Sequence, residues 1–480
     1  MKKILNGSTL KSFLKDTLRP YHLIPEFRKN KMICRLRQKN MICGLLLFTI
    51  WTAISCNKLT PETGELPIGK GGPQKSSSLK IAIVSDIHYM SSSLLKNNAA
   101  SGAAFQAYLD QDPKLIQYSD PIFRQCMKQV IAEKPDILLI PGDLTKDGEK
   151  VSHEDLLKLL KQFDQAHIKV FLVPGNHDVN NPESAQYDGD NASPAPSISA
   201  ADFAKYYSAY GYGQAISRDP QSLSYVAQAF PDLWIMGLDA CEYENNTTIA
   251  IVGGRLKAET QEWALSWIKE AKKRHVALFG MMHHGIVEHY TGQNQLDPGY
   301  VIDDYENIAH NFTQAGLSIM FTGHYHANDI TSRTDGNNIL YDIETGSMVT
   351  APVPYRIITV QGNTMDITTS YVKNIDATLP GGLDFPDYAT EFLSGHLDGY
   401  IGYAIANPPY SLPAELVAMG TPLLRDGFLA HYAGDEKITP AEQTQVDAFG
   451  ALVPPLGAAV NSLFTDLAPA DNNLELKLNQ

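Results

Sequence analysis

Residues 170–178 read VFLVPGNHD: a short apolar run, a Pro-Gly break, then three polar side chains. A run of that length bounded by turn formers has the pattern of a buried β-strand. Polar groups just past the carboxyl end of such a strand fall where open α/β sheets build their sites. Gly175, ahead of Asn176, lets another backbone come close without a Cβ in the way.

The arrangement recurs in both directions along the chain. Leu79 to Val84 runs into Ser85-Asp86-Ile87-His88, and Ile137 to Ile140 into Pro141-Gly142-Asp143. Val276 to Phe279 precedes Met282-His283-His284, and Leu317 to Phe321 precedes Thr322-Gly323-His324-Tyr325-His326. Asp86 and His88 stand two residues apart, so in extended backbone they point to one side and a single cation can take both. Of the 14 histidines, six fall in these strand-end motifs. A lone histidine is a core or surface group in most proteins; five ordered motifs are not explained that way.

Between the strands lie amphipathic helices. Pro121 to Glu133 is expected to start at an Asp120 N-cap, and Glu154 to Phe163 carries Leu156, Leu159, Leu160 and Phe163 on one face. Leu233 to Met236 is a further strand. Past His326, Ile339 to Ile343, Tyr355 to Val360 and Met365 to Tyr371 read as consecutive antiparallel strands. The fold class expected is α/β (α+β), a two-layer β-sandwich core flanked by helices over 80–375. From 376 to 480 the strand pattern stops. Helical segments Tyr388 to Ala404, Pro413 to Ala430 and Pro440 to Phe464 follow, split by Pro408-Pro409 and Pro454-Pro455, and they predict a separate helical region.

The N-terminus reads as an address. Arg35, Arg37 and Lys39 precede an uncharged run from Met41 to Ser55, too short for a span of about 20 residues but of the form of a secretory signal. It ends in Ala53-Ile54-Ser55-Cys56, which resembles the lipobox of bacterial lipoproteins. That resemblance implies cleavage before Cys56, lipid attachment on its thiol, and an extracytoplasmic protein anchored to a bacterial membrane. Residues 1–55 are then leader and signal peptide, and 56–79, rich in Gly, Pro and Ser, a flexible tether. Only Cys126 and Cys241 remain after processing, and both read as structural.

Charge narrows the partners. Eleven Lys/Arg against two acidic residues give 1–40 a net +9, so the rest of the chain carries −23 of the overall −14. An acidic body disfavours a nucleic-acid duplex held through its phosphates. It still admits a phosphate site where metal ions supply local positive charge.

The order D-x-H, GD, GNHD, H, G-H-x-H resembles that of the calcineurin-like metallophosphoesterases, over roughly residues 80 to 375. The resemblance implies two divalent or trivalent transition-metal ions (Mn, Fe, Zn, Ni or Co). One would bind Asp86, His88, Asp143 and His326, the other Asp143, Asn176, His283 and His324, with Asp143 shared. It further implies hydrolysis of a phosphomonoester or phosphodiester, with His177 protonating the leaving oxygen and Asp178 positioning His177. The rival reading is a non-catalytic cell-surface binding lipoprotein that keeps the fold.

The chain departs from the family's patterns in two places. Purple acid phosphatases carry a metal-binding tyrosine three residues after the bridging aspartate; here Lys146 stands there, which argues against an iron-tyrosinate site. Gly285 follows His283-His284 where many members have proline, so either histidine is eligible, and His283 is favoured. The interval from Tyr89 to Tyr118 shows no period and is expected to be a loop or lid, with Tyr89 and Lys114 as candidates to face the substrate. Glu288-His289-Tyr290 reads as ordinary loop, and His431-Tyr432-Ala433-Gly434-Asp435 as solvated surface, with a pocket lining as the alternative.

Overall fold

The apolar runs become strands, divided between two large sheets. The computed structural model describes residues 78–478, so the leader, Cys56 and the tether as far as 77 lie outside the described residues. The first sheet runs from edge to edge Asn473–Lys477, Thr364–Tyr371, Pro354–Gln361, Leu79–Ile83, Ile137–Ile140 and Lys169–Leu172. The second runs Ile330–Asp335, Asn338–Glu344, Ile319–Thr322, Ala277–Met282, Leu233–Leu238, Tyr225–Phe230 and Ala215–Arg218. Three short strands, Leu95–Lys96, Ala185–Asp188 and Asn191–Pro194, form a small third sheet.

Alternation along the strands explains the layers. In Leu233–Leu238, Leu233 and Ile235 enter the core shared with the first sheet, whereas Trp234, Met236 and Leu238 belong to a second cluster. Phe321 and Met320 divide the same way on Ile319–Thr322. That period of two lets one sheet bury both faces. The outer cluster takes in Ala264 and Ile268 of helix Ala258–Arg274 and Phe312 of helix Tyr305–Ala315. Helices Ser119–Glu133 and Lys150–Gln165 send Phe123, Leu160 and Phe163 into the first cluster.

The central strands are parallel, as in the pairings Ile81 with Ile137, Leu138 with Val170, and Gly280 with Met320. Their carboxyl ends therefore face one edge of the sandwich, and the polar motifs collect there.

Several expectations are corrected. Helix Ser119–Glu133 starts before Asp120, which lies in its first turn instead of capping it. Asn338–Glu344 does not pair with the hairpin that follows. It lies between Ile319–Thr322 (parallel) and Ile330–Asp335 (antiparallel) in the second sheet, while Pro354–Gln361 and Thr364–Tyr371 join the first. The interval after Tyr89 contains helix Ala103–Leu109. The C-terminal region carries helices Phe385–Ala406, Ala414–Ala433, Pro440–Leu452 and Pro454–Leu463. Phe385, Leu393 and Leu397 share the sandwich core, and Asn473–Lys477 pairs along Thr364–Tyr371. Among the described residues, no helix is long and apolar enough to cross a membrane.

One buried histidine away from the strand-end motifs makes stability depend on pH. His153 Nε2 donates to the Asp178 carbonyl (3.0 Å), leaving Nδ1 to accept from the Tyr207 hydroxyl (2.7 Å). Burial pulls its pKa from 6.5 down to about 3. The unfolded chain binds this proton below pH 6.5 and the folded chain does not, so the contribution is complete above that pH and is lost as pH falls. Denaturant unfolding at pH 7 and pH 5 should show the natural protein losing about 2 kcal/mol more over that interval than His153→Gln. Equal losses would rule out this histidine as the source.

Candidate metal centre

Five of the predicted donors sit in left-handed backbone, which non-glycine residues rarely adopt: Asp86 (φ 50°), His88 (42°), Asp143 (45°), His324 (78°) and His326 (69°). Each such residue costs about 1–2 kcal/mol, so the surrounding structure must hold it. Backbone hydrogen bonds between loops do so. Asp86 N donates to Gly142 O at 3.3 Å, His88 N to Asp143 O at 2.9 Å, and His324 N to the Asp86 carboxylate at 3.1 Å. Close approach also needs glycine: a Cβ on Gly175 would lie 2.0 Å from Asp143 Oδ1.

The turns bring the donors into two groups, Asp86, His88 and His326 in one and Asp143, His283 and His324 in the other. His88 Nε2 is 3.5 Å from Asp143 Oδ2, and His326 Nε2 is 3.5 Å from Asp86 Oδ1. His283 Nε2 lies 3.4 Å from the same Asp143 Oδ2 and 3.1 Å from Asn176 Oδ1. Asp143 is thus the carboxylate within reach of both groups. All seven predicted donors converge, with Asn176 reaching the second group through His283.

The imidazoles present lone pairs to this space. His283 Nδ1 donates to Pro141 O at 2.9 Å and His324 Nε2 to Gly299 O at 3.3 Å, which leaves the other nitrogen of each ring as an acceptor. The Thr350 hydroxyl meets His326 Nδ1 at 2.9 Å. His88 and His326 face each other through Nε2 atoms 3.3 Å apart, a contact that an intervening cation relieves. Burial holds His88 and His324 well below the usual imidazole range, hence neutral. Burial lowers His283 as well, but the neighbouring Asp143 outweighs it and the net value is about 9, so a cation taken by Nε2 would displace the proton that this carboxylate favours there. Burial alone would raise Asp143, yet His283, His177 and His88 hold its carboxyl well below the ordinary range. Imidazole, carboxylate and amide donors without a thiolate fit two transition-metal ions.

His177 lies at the rim, with Nε2 4.0 Å from Asp143 Oδ2. The carboxylate that meets its ring is Asp147, whose Oδ1 is 3.1 Å from Nδ1, and not Asp178 as expected. Asp178 accepts from the Leu144, Thr145 and Gly175 amides and the Thr145 hydroxyl, at 2.9–3.0 Å, and so ties two loops together. Burial and Asp143 raise it to about 7 against those amides. Asp147 is the functional residue that sequence reading missed; its signal was the Lys146-Asp147 pair just past Asp143.

Lys146 is fully buried, paired with Asp147 and Glu149 (3.0 Å to the latter) and set 4.5 Å from the Tyr108 ring. Tyr89 donates its hydroxyl to Asp120 at 3.0 Å, which occupies it away from the donors. Lys114 pairs with Asp112, Nζ to Oδ1, at 3.4 Å. His284 bonds Val252 O at 2.8 Å through Nε2 and belongs to neither donor group.

The model of the calcineurin-like phosphoesterase family matches residues 79–328. No curated protein matches the chain significantly. Among solved structures it is similar to a dimetal phosphatase from Danio rerio, at 13% identity and a TM-score of 0.41, over 61% of this chain and 96% of that one. It is also similar to a purple acid phosphatase from yellow lupin, at 11% identity and a TM-score of 0.37, over 62% of this chain and 52% of that one.

The two adjacent histidines are separable by experiment. His283→Gln should weaken binding of one metal ion by about 100-fold or more, and His284→Gln by less than about 10-fold, as read by metal titration. The reverse order would reassign the donor.

Proposed function

Because this chain belongs to the calcineurin-like phosphoesterase family, we propose that it is a metal-dependent hydrolase that cleaves a phosphomonoester or phosphodiester by attack of water on phosphorus. The observation that carries this reading is the convergence of two donor groups on the single buried carboxylate of Asp143. Asp86, His88 and His326 would hold one ion and Asn176, His283 and His324 the other, with Asp143 shared. Two bound ions of the Mn, Fe, Zn, Ni or Co class lower the pKa of water and offset the charge of phosphoryl oxygens.

The chain's own residues handle the proton and the substrate. Asp147 accepts from His177 Nδ1 and fixes the ring, so that Nε2 faces the donors. From there Nε2 gives its proton to the leaving oxygen as its bond to phosphorus breaks. Lys114, paired with Asp112 at 3.4 Å, is the cation that would meet a phosphoryl oxygen of the substrate. Asp178 positions the loops and touches no reacting atom.

Metal-loaded protein is expected to hydrolyse p-nitrophenyl phosphate or its bis ester, and Asp143→Asn to abolish turnover. Asp147→Asn should lower kcat by about 100-fold for an ester with a poor leaving group, and by much less for p-nitrophenyl esters, whose leaving oxygen needs no proton. Equal losses on both esters would refute the proton-donor role. No turnover on a broad phosphoester panel, with fewer than about one metal equivalent bound, would favour a binding protein instead.

We further propose that the protein is extracytoplasmic and held on a bacterial membrane by lipid on Cys56. The support is the basic segment, the short apolar run and the lipobox-like Ala53-Ile54-Ser55-Cys56. Cys56→Ala should move the protein from the membrane to the soluble fraction; retention on the membrane would refute the anchor.

A further inference from the structure

A second collection of histidines and carboxylates lies apart from the donors around Asp143. Asp329 stands in the connection between His326 and strand Ile330–Asp335, His431 in the last turn of helix Ala414–Ala433, and Glu436 just beyond that helix. The sequence placed His431 on the solvated surface and read His289 as an ordinary loop residue. Both are instead about 1% exposed, as is Asp329.

The atoms converge. His431 Nδ1 is 2.6 Å from Glu436 Oε1 and 3.5 Å from Asp329 Oδ2. On its far side Asp329 Oδ1 is met by His289 Nδ1 at 2.5 Å. Yet Asp329 Oδ2, the oxygen turned toward His431, has no hydrogen-bond partner among the described residues, and neither do Glu436 Oε2, His431 Nε2 and His289 Nε2. Leaving a buried polar atom unsatisfied costs about 1–3 kcal/mol, more where it is charged. Several in one cluster indicate a missing ligand.

Carboxylates outnumber the imidazoles here. His289 Nε2 faces Asp342 Oδ2 at 3.5 Å and Glu344 Oε2 at 3.6 Å, so four carboxylates surround two imidazoles. The guanidinium of Arg356 donates to the backbone carbonyls of Glu344, Asp329 and Asp471 and not to these carboxylates. Burial, with Asp342 and Asp329 alongside, pushes Glu344 well above the usual carboxyl range.

We propose that Asp329, His431 and Glu436 form a third cation site, for a divalent first-row metal such as zinc or manganese, that clasps the C-terminal helices to the connection after His326. One imidazole and two carboxylate oxygens within 4.8 Å of one another are the donors. Ligands about 2.1 Å from a tetrahedral ion stand roughly 3.5 Å apart, as His431 Nδ1 and Asp329 Oδ2 do, whereas the 2.6 Å hydrogen bond between His431 Nδ1 and Glu436 Oε1 has to open for the ion to enter. His289 orients Asp329 from behind, as outer partners of ligating carboxylates do. The site shares no residue with the Asp143 centre, so it stands or falls independently of the phosphoesterase reading.

Mature protein stripped by a chelator and reloaded with Zn(II) or Mn(II) tests this by metal content per chain. The natural protein should bind about three ions, Glu436→Gln and His431→Gln about two, and Asp143→Asn about one. The near-isosteric Glu436→Gln keeps the fold, which circular dichroism checks. Anomalous scattering from zinc-loaded crystals should place an ion among the three side chains. Equal metal content in the natural protein and Glu436→Gln, or no anomalous peak there, overturns the proposal. Failure of the phosphoesterase reading would appear separately, as unchanged metal content in Asp143→Asn.

Discussion

The buried carboxylate of Asp143 is the constraint around which the rest is organised. It is 2% exposed and meets the imidazoles of His88 and His283 together with the His177 amide. An ionised carboxylate taken out of water costs several kcal/mol unless it is paired and hydrogen-bonded. Satisfying it requires loops from both sheets at one point, and that requirement accounts for the local oddities. Gly175 lacks a Cβ because the Asp143 oxygen stands in its place, and Asp178 uses its carboxylate to brace the loops beneath. Five donors accept left-handed backbone to aim their side chains. Strain of this kind persists only where sheets and interloop bonds over-determine it, and here the sandwich does so.

The two sheets contribute in different ways. Parallel strands Leu79–Ile83, Ile137–Ile140 and Lys169–Leu172 of the first sheet end at Asp86, Asp143 and Asn176. Parallel strands Ala277–Met282 and Ile319–Thr322 of the second end at His283 and His324. Carboxylates therefore arrive from one sheet and imidazoles largely from the other. The chain then crosses back after Asn338–Glu344 to close the first sheet. On that crossing Thr350 reaches the His326 ring, and Ser347 donates to Asp86 O at 3.0 Å.

Much of this was legible because each motif carries its own strand. In VFLVPGNHD the apolar run sets the burial, Pro-Gly ends it, and the donor follows within two residues, so local sequence determines both element and placement. What failed to read locally depended on remote contacts. Asp178 is adjacent to His177 in sequence, but the chain turns between them and Asp147, thirty residues earlier, meets the ring. Asn338–Glu344 does form a hairpin, but with the preceding Ile330–Asp335 across a two-residue turn and not with the strands that follow. His289 and His431 look like loop residues with polar neighbours. Their burial arises from the meeting of segments some 140 residues apart, which no periodicity encodes.

Electrostatics reconcile an acidic body with an anionic substrate. The chain beyond residue 40 carries a net −23, a poor field for attracting a phosphoester. Within the site, however, Asn176 is neutral, burial keeps His88 and His324 neutral, and the imidazoles around Asp143 hold its carboxyl well below the ordinary range. Two divalent ions set against two carboxylates would leave a formal excess of about +2 in a buried place, where a charge acts far more strongly than on the surface. Neutral imidazoles are thus suited to this site in a way further carboxylates are not. They hold cations without cancelling them, so the positive charge is confined to the position of the reacting phosphorus while the acidic exterior repels anions elsewhere.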